Sequence, residues 1–170
     1  MQTRRMVLLA VLLAVSVVLN IVERVALGGL TGLPMVRLGL ANIVILIVLY
    51  VFTVKDAMTL LLLRIFLVGL FTALFSPTFW ISLSGGLIAF IMMVSFKKIG
   101  RFSVIGVSVM GSFGHALGQI LMAMFILSSQ ELILYLPILL SLSIPTGIFT
   151  GLVSKKLIHI IENSLSVERF

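Results

Sequence analysis

The stretch that decides how this chain folds is Gly-Ser-Phe-Gly-His-Ala-Leu-Gly-Gln, residues 111–119. It lies inside a long apolar run, residues 102–127, and about 20 apolar residues are enough to cross a bilayer. His115 and Gln119 are four residues apart, so on a helix they share a face. Three glycines in the same stretch remove side chains, so another backbone or a flat ligand can come close.

Two interpretations of this stretch follow from the sequence. Polar side chains at membrane depth are costly, and they usually face a protein interior or a cavity. In the first interpretation, the stretch is a helix–helix contact that contains a hydrogen-bonded histidine. In the second, it forms the wall of a ligand pocket. The rest of the chain has to distinguish between them.

The composition of the chain is that of an integral membrane protein. Of its 170 residues, 61% are hydrophobic and only 10% are charged, which leaves too little polar surface to cover a soluble domain. Cysteine is absent, so we expect neither a disulfide framework nor a thiolate metal site. The first apolar run is not followed by a small-residue cleavage signal, and we expect it to be a retained helix rather than a signal peptide.

Apolar runs that alternate with polar turns predict one all-α domain, residues 1–170, with six transmembrane helices. The predicted spans are residues 6–22, 36–53, 57–75, 79–96, 102–127 and 132–153. Between the first two spans, residues 28–34 form a loop that is rich in glycine and contains proline. This loop either covers the mouth of a pocket or simply connects the two spans.

The basic residues are distributed unevenly between the two ends of the predicted spans. With the N-terminus placed inside, nine of the twelve fall on the cytoplasmic side, namely Arg4, Arg5, Lys55, Lys97, Lys98, Arg101, Lys155, Lys156 and Arg169. Only Arg24 and Arg37 fall on the other side, and Arg64 lies within a span. This asymmetry follows the positive-inside rule. We therefore expect both termini in the cytoplasm, and the net charge of +7 needs no nucleic-acid partner to explain it.

Side chains suited to catalysis are scarce. The chain has five acidic residues, and Asp56 is its sole aspartate, whereas prenyl-transfer enzymes hold their diphosphate through magnesium on clustered aspartates. The sequence shows neither zinc-type spacing of histidines nor a Walker A motif, so we expect the chain not to use ATP itself. We expect no catalytic residues, metal or cofactor, with His115 acting as a base kept as a minor alternative.

Polar side chains recur at a similar depth in the first, second, fourth and fifth spans. They are Asn20, Arg37, Asn42, Ser82, Ser84, His115 and Gln119. Their common depth predicts a pocket that opens to the outside, where arginine and histidine would suit an anion or a hydrogen-bonding ring oxygen. Arg64 in the third span would cost on the order of 3 kcal/mol if it faced lipid. It therefore either snorkels or faces the bundle, for structure, for a ligand or for a partner.

Three motifs, in this order, resemble those of a known family. They are Arg-Leu-Gly-Leu-Ala-Asn at residues 37–42, Leu-Ser-Gly-Gly at residues 83–86 and Gly-His-Ala-Leu-Gly-Gln at residues 114–119. Over nearly its whole length the chain is similar to the Gx transporter family, often labelled heptaprenyl diphosphate synthase component I. Proteins of this family look like substrate-binding S components of energy-coupling factor (ECF) transporters.

The resemblance implies a six-helix S-component bundle in the plasma membrane of a prokaryote. Such a protein captures a vitamin-like molecule from outside, and works with an ECF coupling subunit and two ATPase subunits that use the ATP. In S components an alanine-x-x-x-alanine pair on the first helix contacts the coupling subunit, and Ala10 and Ala14 match that pattern. The alternative for this pair is ordinary packing of small residues.

The resemblance also links this subgroup to quinone or isoprenoid metabolism, so the expected ligand is a naphthoquinone precursor such as 1,4-dihydroxy-2-naphthoate. The expected binding residues are Asn20, Arg37, Asn42, Ser84, Gly85, Gly86, His115 and Gln119. Arg37 and Asn42 would bind anionic or carbonyl oxygens, and His115 and Gln119 would hydrogen-bond ring substituents. The serine and the two glycines at 84–86 would let the ligand approach the backbone of the fourth helix.

Two other classes of function stay open. One is a stand-alone secondary carrier, with protons coupled through His115. The other is a membrane enzyme or an accessory subunit of isoprenoid synthesis. A requirement of uptake for ATPase subunits would separate the S component from the carrier, and turnover of a prenyl diphosphate by the purified protein would support the third class.

Overall fold

The computed structural model describes residues 2–27 and 39–167 of the chain. These residues form six α-helices and one short 3-10 helix: α1 (Gln2–Leu27), α2 (Asn42–Val51), α3 (Val54–Thr72), α4 (Pro77–Ile99), α5 (Val104–Leu127), the 3-10 helix (Gln130–Tyr135) and α6 (Leu136–Val167). No strand occurs in this part of the chain. The predicted all-α fold is therefore confirmed for the described residues.

Within the described residues, four helical segments are long and apolar enough to cross a membrane. They are Thr3–Glu23, Pro77–Ile99, Val104–Leu127 and Gln130–Asn163, and they correspond to the first, fourth, fifth and sixth predicted spans. The protein is thus a multi-pass helical membrane protein. The third predicted span corresponds to α3, which is long enough at 19 residues but carries three charged side chains, Lys55, Asp56 and Arg64.

The second predicted span, residues 36–53, is helical over only part of its length among the described residues. Residues 36–38 lie outside the described chain, and only Asn42–Val51 is helical. Ten helical residues cover about 15 Å, which is roughly half of the hydrocarbon core. This helix is apolar on every side, and its residues from Asn42 to Leu49 are all buried, as expected for a helix inside a bundle. Hydropathy alone does not separate such a buried core helix from a span.

Short turns with clear capping signals join the helices from α2 to α5. At the start of α3, Thr53 and Asp56 form a capping box, in which each side chain bonds to the other residue's backbone N–H. Ser76 caps α4, and Ser103 caps α5. Gly100 ends α4 with a left-handed φ of 74°, a conformation that glycine adopts without strain. These turns fold the helices back on one another.

Helix α5 lies between α4 and α6, and glycines allow a close approach on both sides. A Cβ atom added to Gly118 would lie 2.8 Å from the carbonyl oxygen of Ser84, and one added to Gly147 of α6 would lie 2.6 Å from Cα of Val109. The Ser84 hydroxyl donates to the carbonyl oxygen of Gly118 at 2.9 Å. The first interpretation of residues 111–119, a close helix–helix contact, is therefore confirmed for the glycines of the stretch.

The two ends of the bundle differ in charge. At one end, Arg5 of α1 donates to Asp56 of α3 at 2.6 Å, and Lys97 of α4 donates to the carbonyl oxygen of Leu49 at 2.5 Å. Lys97 also lies 4.6 Å from the centre of the Tyr50 ring, a cation–π contact. We call this the basic end. The positive-inside rule assigns it to the cytoplasm, and that orientation stays a prediction.

Candidate ligand-binding site

A polar pocket lies between α1, α2, α3, α4 and α5, toward the end of the bundle opposite the basic end. The polar side chains that line it are Asn20, Glu23, Asn42, Arg64, Thr72, Ser82, His115 and Gln119. Among its apolar lining residues are Ile65, Val68 and Phe79. The structure thus brings four of the predicted binding residues together, namely Asn20, Asn42, His115 and Gln119.

The enclosed space in the pocket is small. Its volume is about 20 Å³, which is room for about one water molecule. A ligand as large as a naphthoate therefore requires the pocket to widen before it can enter.

Helix α5 contributes a hydrogen-bonded pair of side chains, as the spacing predicted. Nε2 of His115 lies 2.8 Å from Nε2 of Gln119, and both residues are buried. If Gln119 donates through its amide nitrogen, Nε2 of His115 accepts, and the proton of the neutral ring is on Nδ1.

The start of α2 faces α3 through a buried polar contact. Nη1 of Arg64 donates to Oδ1 of Asn42 across 3.4 Å, and both side chains are buried. Arg64 therefore faces the bundle rather than lipid, which resolves one of the alternatives that the sequence left open. The amide nitrogen of Asn42 is also buried, and within the described chain it makes no hydrogen bond.

Glu23 is a pocket residue that sequence reasoning missed. It follows directly after the first predicted span, residues 6–22, and its side chain is only 2% exposed. Its two carboxylate oxygens accept the backbone N–H groups of Gly39 at 2.6 Å and of Leu40 at 2.9 Å. The carboxylate therefore joins the end of α1 to the segment that leads into α2. Its position three residues after Asn20, on the same helical face, was the signal available in the sequence.

Gly39 is a second pocket residue that was missed, although it belongs to the motif at residues 37–42. Its φ is 84°, in the left-handed region that favours glycine. A Cβ atom there would lie 2.9 Å from Cδ2 of His115 and 3.0 Å from Nδ2 of Asn42. Both the backbone conformation and the close contact therefore require glycine at this position.

The other predicted binding residues lie elsewhere or outside the described chain. Gly85 lies against α5, where an added Cβ would be 2.7 Å from Cγ of Gln119, and Gly86 lies against Leu61 of α3. With Ser84 bonded to Gly118, the residues at 84–86 contact protein in this conformation, and their role toward a ligand stays a prediction. Arg37 and the loop at residues 28–34 lie outside the described residues.

The predicted partner-contact residues lie on the outer face of α1. Ala10 and Ala14 are both exposed, among exposed valines such as Val7, Val11 and Val18. Ala10 also borders a groove between α1 and α3, so ordinary packing of small residues stays an alternative. Contact with a partner helix stays a prediction.

Among the described residues, no group of three or more histidine, aspartate or glutamate side chains is placed to hold a metal ion.

Comparison with known proteins finds one family. The sequence profile of the family described as heptaprenyl diphosphate synthase component I matches residues 12–157, which is most of the chain and contains every pocket residue named above. No curated protein and no solved structure matches the chain.

Proposed function

This chain belongs to the heptaprenyl diphosphate synthase component I family, and from that premise we propose that it is the substrate-binding S component of an ECF-type importer. In this role it captures a small vitamin-like molecule from outside the cell and does no chemistry of its own. The observation that carries the proposal is the convergence of buried or half-buried polar side chains from five helices on one pocket.

Buried polar side chains in a membrane protein favour a binding role. Each costs free energy unless a partner satisfies it, and such groups usually face a functional cavity. The amide nitrogen of Asn42 makes no hydrogen bond within the described chain although it is buried. A purely structural cluster would be expected to satisfy this donor, whereas a binding site leaves it for the ligand.

The position of the pocket supports capture from outside. It lies away from the basic end, where Arg5, Asp56 and Lys97 are found. If the positive-inside rule places that end in the cytoplasm of a prokaryotic cell, the pocket faces the external side of the plasma membrane.

The lining suits a flat, partly apolar acid. Arg64 and Asn42 offer donors for a carboxylate or carbonyl oxygen, and His115 and Gln119 offer partners for ring substituents. Ile65, Val68 and Phe79 supply apolar walls. We therefore propose a naphthoquinone precursor, with 1,4-dihydroxy-2-naphthoate as the first compound to test.

The outer face of α1 supports a role for partner subunits. In this proposal Ala10 and Ala14 let an ECF coupling subunit approach α1 closely, and two ATPase subunits supply the energy from ATP. The chain itself holds neither metal nor cofactor in this scheme.

The family description favours a second candidate, an accessory membrane component of prenyl diphosphate synthesis. The two candidates differ in the reaction that the chain supports and in its need for ATP. The accessory component would raise the turnover of a labelled prenyl diphosphate by its catalytic partner, and it would not need ATP hydrolysis to do so.

The experiment that tests the proposal is uptake of labelled 1,4-dihydroxy-2-naphthoate into cells or proteoliposomes that contain the chain together with candidate coupling and ATPase subunits. We expect the chain to purify with these subunits and uptake to stop when ATP hydrolysis is blocked. Ala14→Trp should abolish both, whereas Leu121→Trp, at an exposed position on α5, should abolish neither. Uptake without ATPase subunits would contradict the proposal in favour of a stand-alone carrier.

A further inference from the structure

The orientation of the Asn42 amide in the pocket is set by the neighbouring side chain of Arg64. We propose that Arg64 holds the Asn42 amide with its nitrogen directed to the ligand, so that the site selects a molecule with a carboxylate oxygen at that point. This inference rests on the proposed function, and it assigns Arg64 the role of a positioning residue.

The first step concerns which amide atom faces Arg64. Nη1 of Arg64 lies 3.4 Å from Oδ1 of Asn42, and the two side chains are 2% and 7% exposed. A guanidinium group has donors only and cannot accept a hydrogen bond. The amide atom that faces it must therefore be the oxygen, and the alternative orientation would set two donors against each other.

The second step follows from the geometry of an amide. With Oδ1 held by Arg64, Nδ2 points the other way, toward Gly39, where an added Cβ would lie 3.0 Å from it. Nδ2 is buried and makes no hydrogen bond within the described chain. An amide nitrogen only donates, so the group that satisfies it must be an acceptor.

The third step concerns the charge of that acceptor. Hydrogen bonds to an ionised acceptor are shorter and stronger than those to a neutral one, and the Arg64 guanidinium next to Asn42 adds positive charge. The pocket carboxylate, Glu23, already accepts two backbone N–H groups, from Gly39 and Leu40. In this proposal the Asn42 amide nitrogen faces the ligand, while the Glu23 carboxylate is engaged with the protein.

A merely structural contact between α2 and α3 would leave ligand selectivity unchanged, and this difference defines the test. The probes are 1,4-dihydroxy-2-naphthoate and its neutral 2-carboxamide, which differ only in the acidic group. Their affinities for the full-length protein in detergent are measured by titration calorimetry. We expect the wild type to prefer the acid.

The decisive variant is Asn42→Asp, which keeps an oxygen for Arg64 but replaces the donor by an acceptor. We expect affinity for the acid to fall about 30-fold, as for loss of a hydrogen bond to a charged group. The carboxamide, which can donate to the new carboxylate, should become the preferred ligand. The matched control is Asn163→Asp, at an exposed position on α6, and it should leave both affinities unchanged.

A second pair of variants tests the positioning role and stands on its own if Asn42→Asp fails to fold. Arg64→Gln can donate or accept, so it should release the amide and reduce the preference for the acid. Arg64→Lys, which only donates, should largely restore that preference.

The outcomes separate this inference from the proposed function. If the wild type binds the acid and both Asn42→Asp and Arg64→Gln keep its preference over the carboxamide, the inference is overturned while the binding function stands. If the wild type binds neither probe, the proposed function fails for this ligand class and the inference fails with it. A reversed preference in Asn42→Asp, with the control unchanged, supports both.

Discussion

Replacing Glu23 with alanine tests whether one buried carboxylate fastens α1 to the start of α2. The carboxylate accepts the N–H groups of Gly39 and Leu40 at 2.6 and 2.9 Å, and the side chain is 2% exposed. In Glu23→Ala these two backbone donors lose their partner at a place that water reaches poorly. The variant should therefore lose stability, and the pocket should lose its shape on the α1 side.

The magnitude follows from the two hydrogen bonds. A hydrogen bond to a charged group contributes roughly 1.5–3 kcal/mol, so two would give about 3–6 kcal/mol. Removing the carboxylate also removes the cost of burying its charge, which brings the expected loss toward the lower figure, about 3 kcal/mol. For a chain of this size that corresponds to a fall in Tm of about 6–12 °C.

The assay is thermal unfolding of the detergent-purified protein, followed by the loss of helical circular dichroism. Glu23→Gln keeps one acceptor oxygen and should lose about half as much stability as Glu23→Ala. Glu131→Ala is the matched control, because that glutamate is exposed in the 3-10 helix, and its Tm should stay within about 2 °C of the wild type. If Glu23→Ala also melts within this margin, the assignment of Glu23 as the connection between α1 and α2 is refuted.

Three further perturbations test the glycines and the basic end. Gly39→Ala should lower stability by about 1–2 kcal/mol, because alanine is strained in the left-handed backbone conformation. The contact of its Cβ with His115 should cost about 1–3 kcal/mol more, and ligand binding should be lost. Gly118→Ala should cost about 1–3 kcal/mol in unfolding experiments, because its Cβ would meet backbone atoms of α4. Burial would raise the pKa of Asp56, but hydrogen bonds from Thr53 and the charge of Arg5 outweigh it and hold this pKa below its usual value of 3.8. The stability from ionised Asp56 should therefore be complete above about pH 4 and be lost as the pH falls through the lowered pKa, which unfolding curves from pH 2 to pH 6 will show.

Each of these perturbations has a control within the chain. Gly100 also has a positive φ, of 74°, but nothing lies within 4 Å of its Cβ position, so Gly100→Ala should show the backbone cost without loss of binding. Gly106 lies on the same helix as Gly118, but a Cβ added there would be 3.4 Å from its nearest neighbour, Cδ1 of Phe102. Gly106→Ala should therefore leave stability unchanged or raise it. Asp56→Asn should remove the loss of stability at acid pH that comes from Asp56. Equal effects in each test variant and its control would contradict the respective reasoning.

Much of the helix pattern and part of the pocket could be predicted from the sequence. The apolar runs identified α1, α4, α5 and α6 because long apolar stretches have few alternatives in a membrane protein. The spacing of His115 and Gln119 predicted their shared face, since a four-residue interval fixes direction on any helix. These features depend on local sequence alone.

The features that could not be predicted from the sequence depend on how the helices cross and contact one another. The apolar run predicts a span over residues 36–53, whereas the described helix there is Asn42–Val51. Hydropathy does not fix the length of such a helix, because a helix buried in protein and a helix in lipid are both apolar all round. Glu23 lies one residue beyond the first predicted span, and only the structure shows the two N–H groups that it binds. Gly85 and Gly86 contact α5 and α3, and the sequence alone does not give these contacts.

The measurement that tests the central claim most directly is binding of 1,4-dihydroxy-2-naphthoate and related small aromatic acids to the purified protein, repeated on two histidine variants. The chain has two histidines, and each contacts an amide side chain four residues later: His115 contacts Gln119 in the pocket, and His159 contacts Asn163 on the exposed side of α6. We predict that one such acid binds the wild type, that His115→Ala weakens binding at least about 10-fold, as for loss of a hydrogen bond in a buried site, and that His159→Ala does not weaken it. Absence of binding to the wild type, or equal binding by the two variants, would contradict the claim that this pocket captures a ligand.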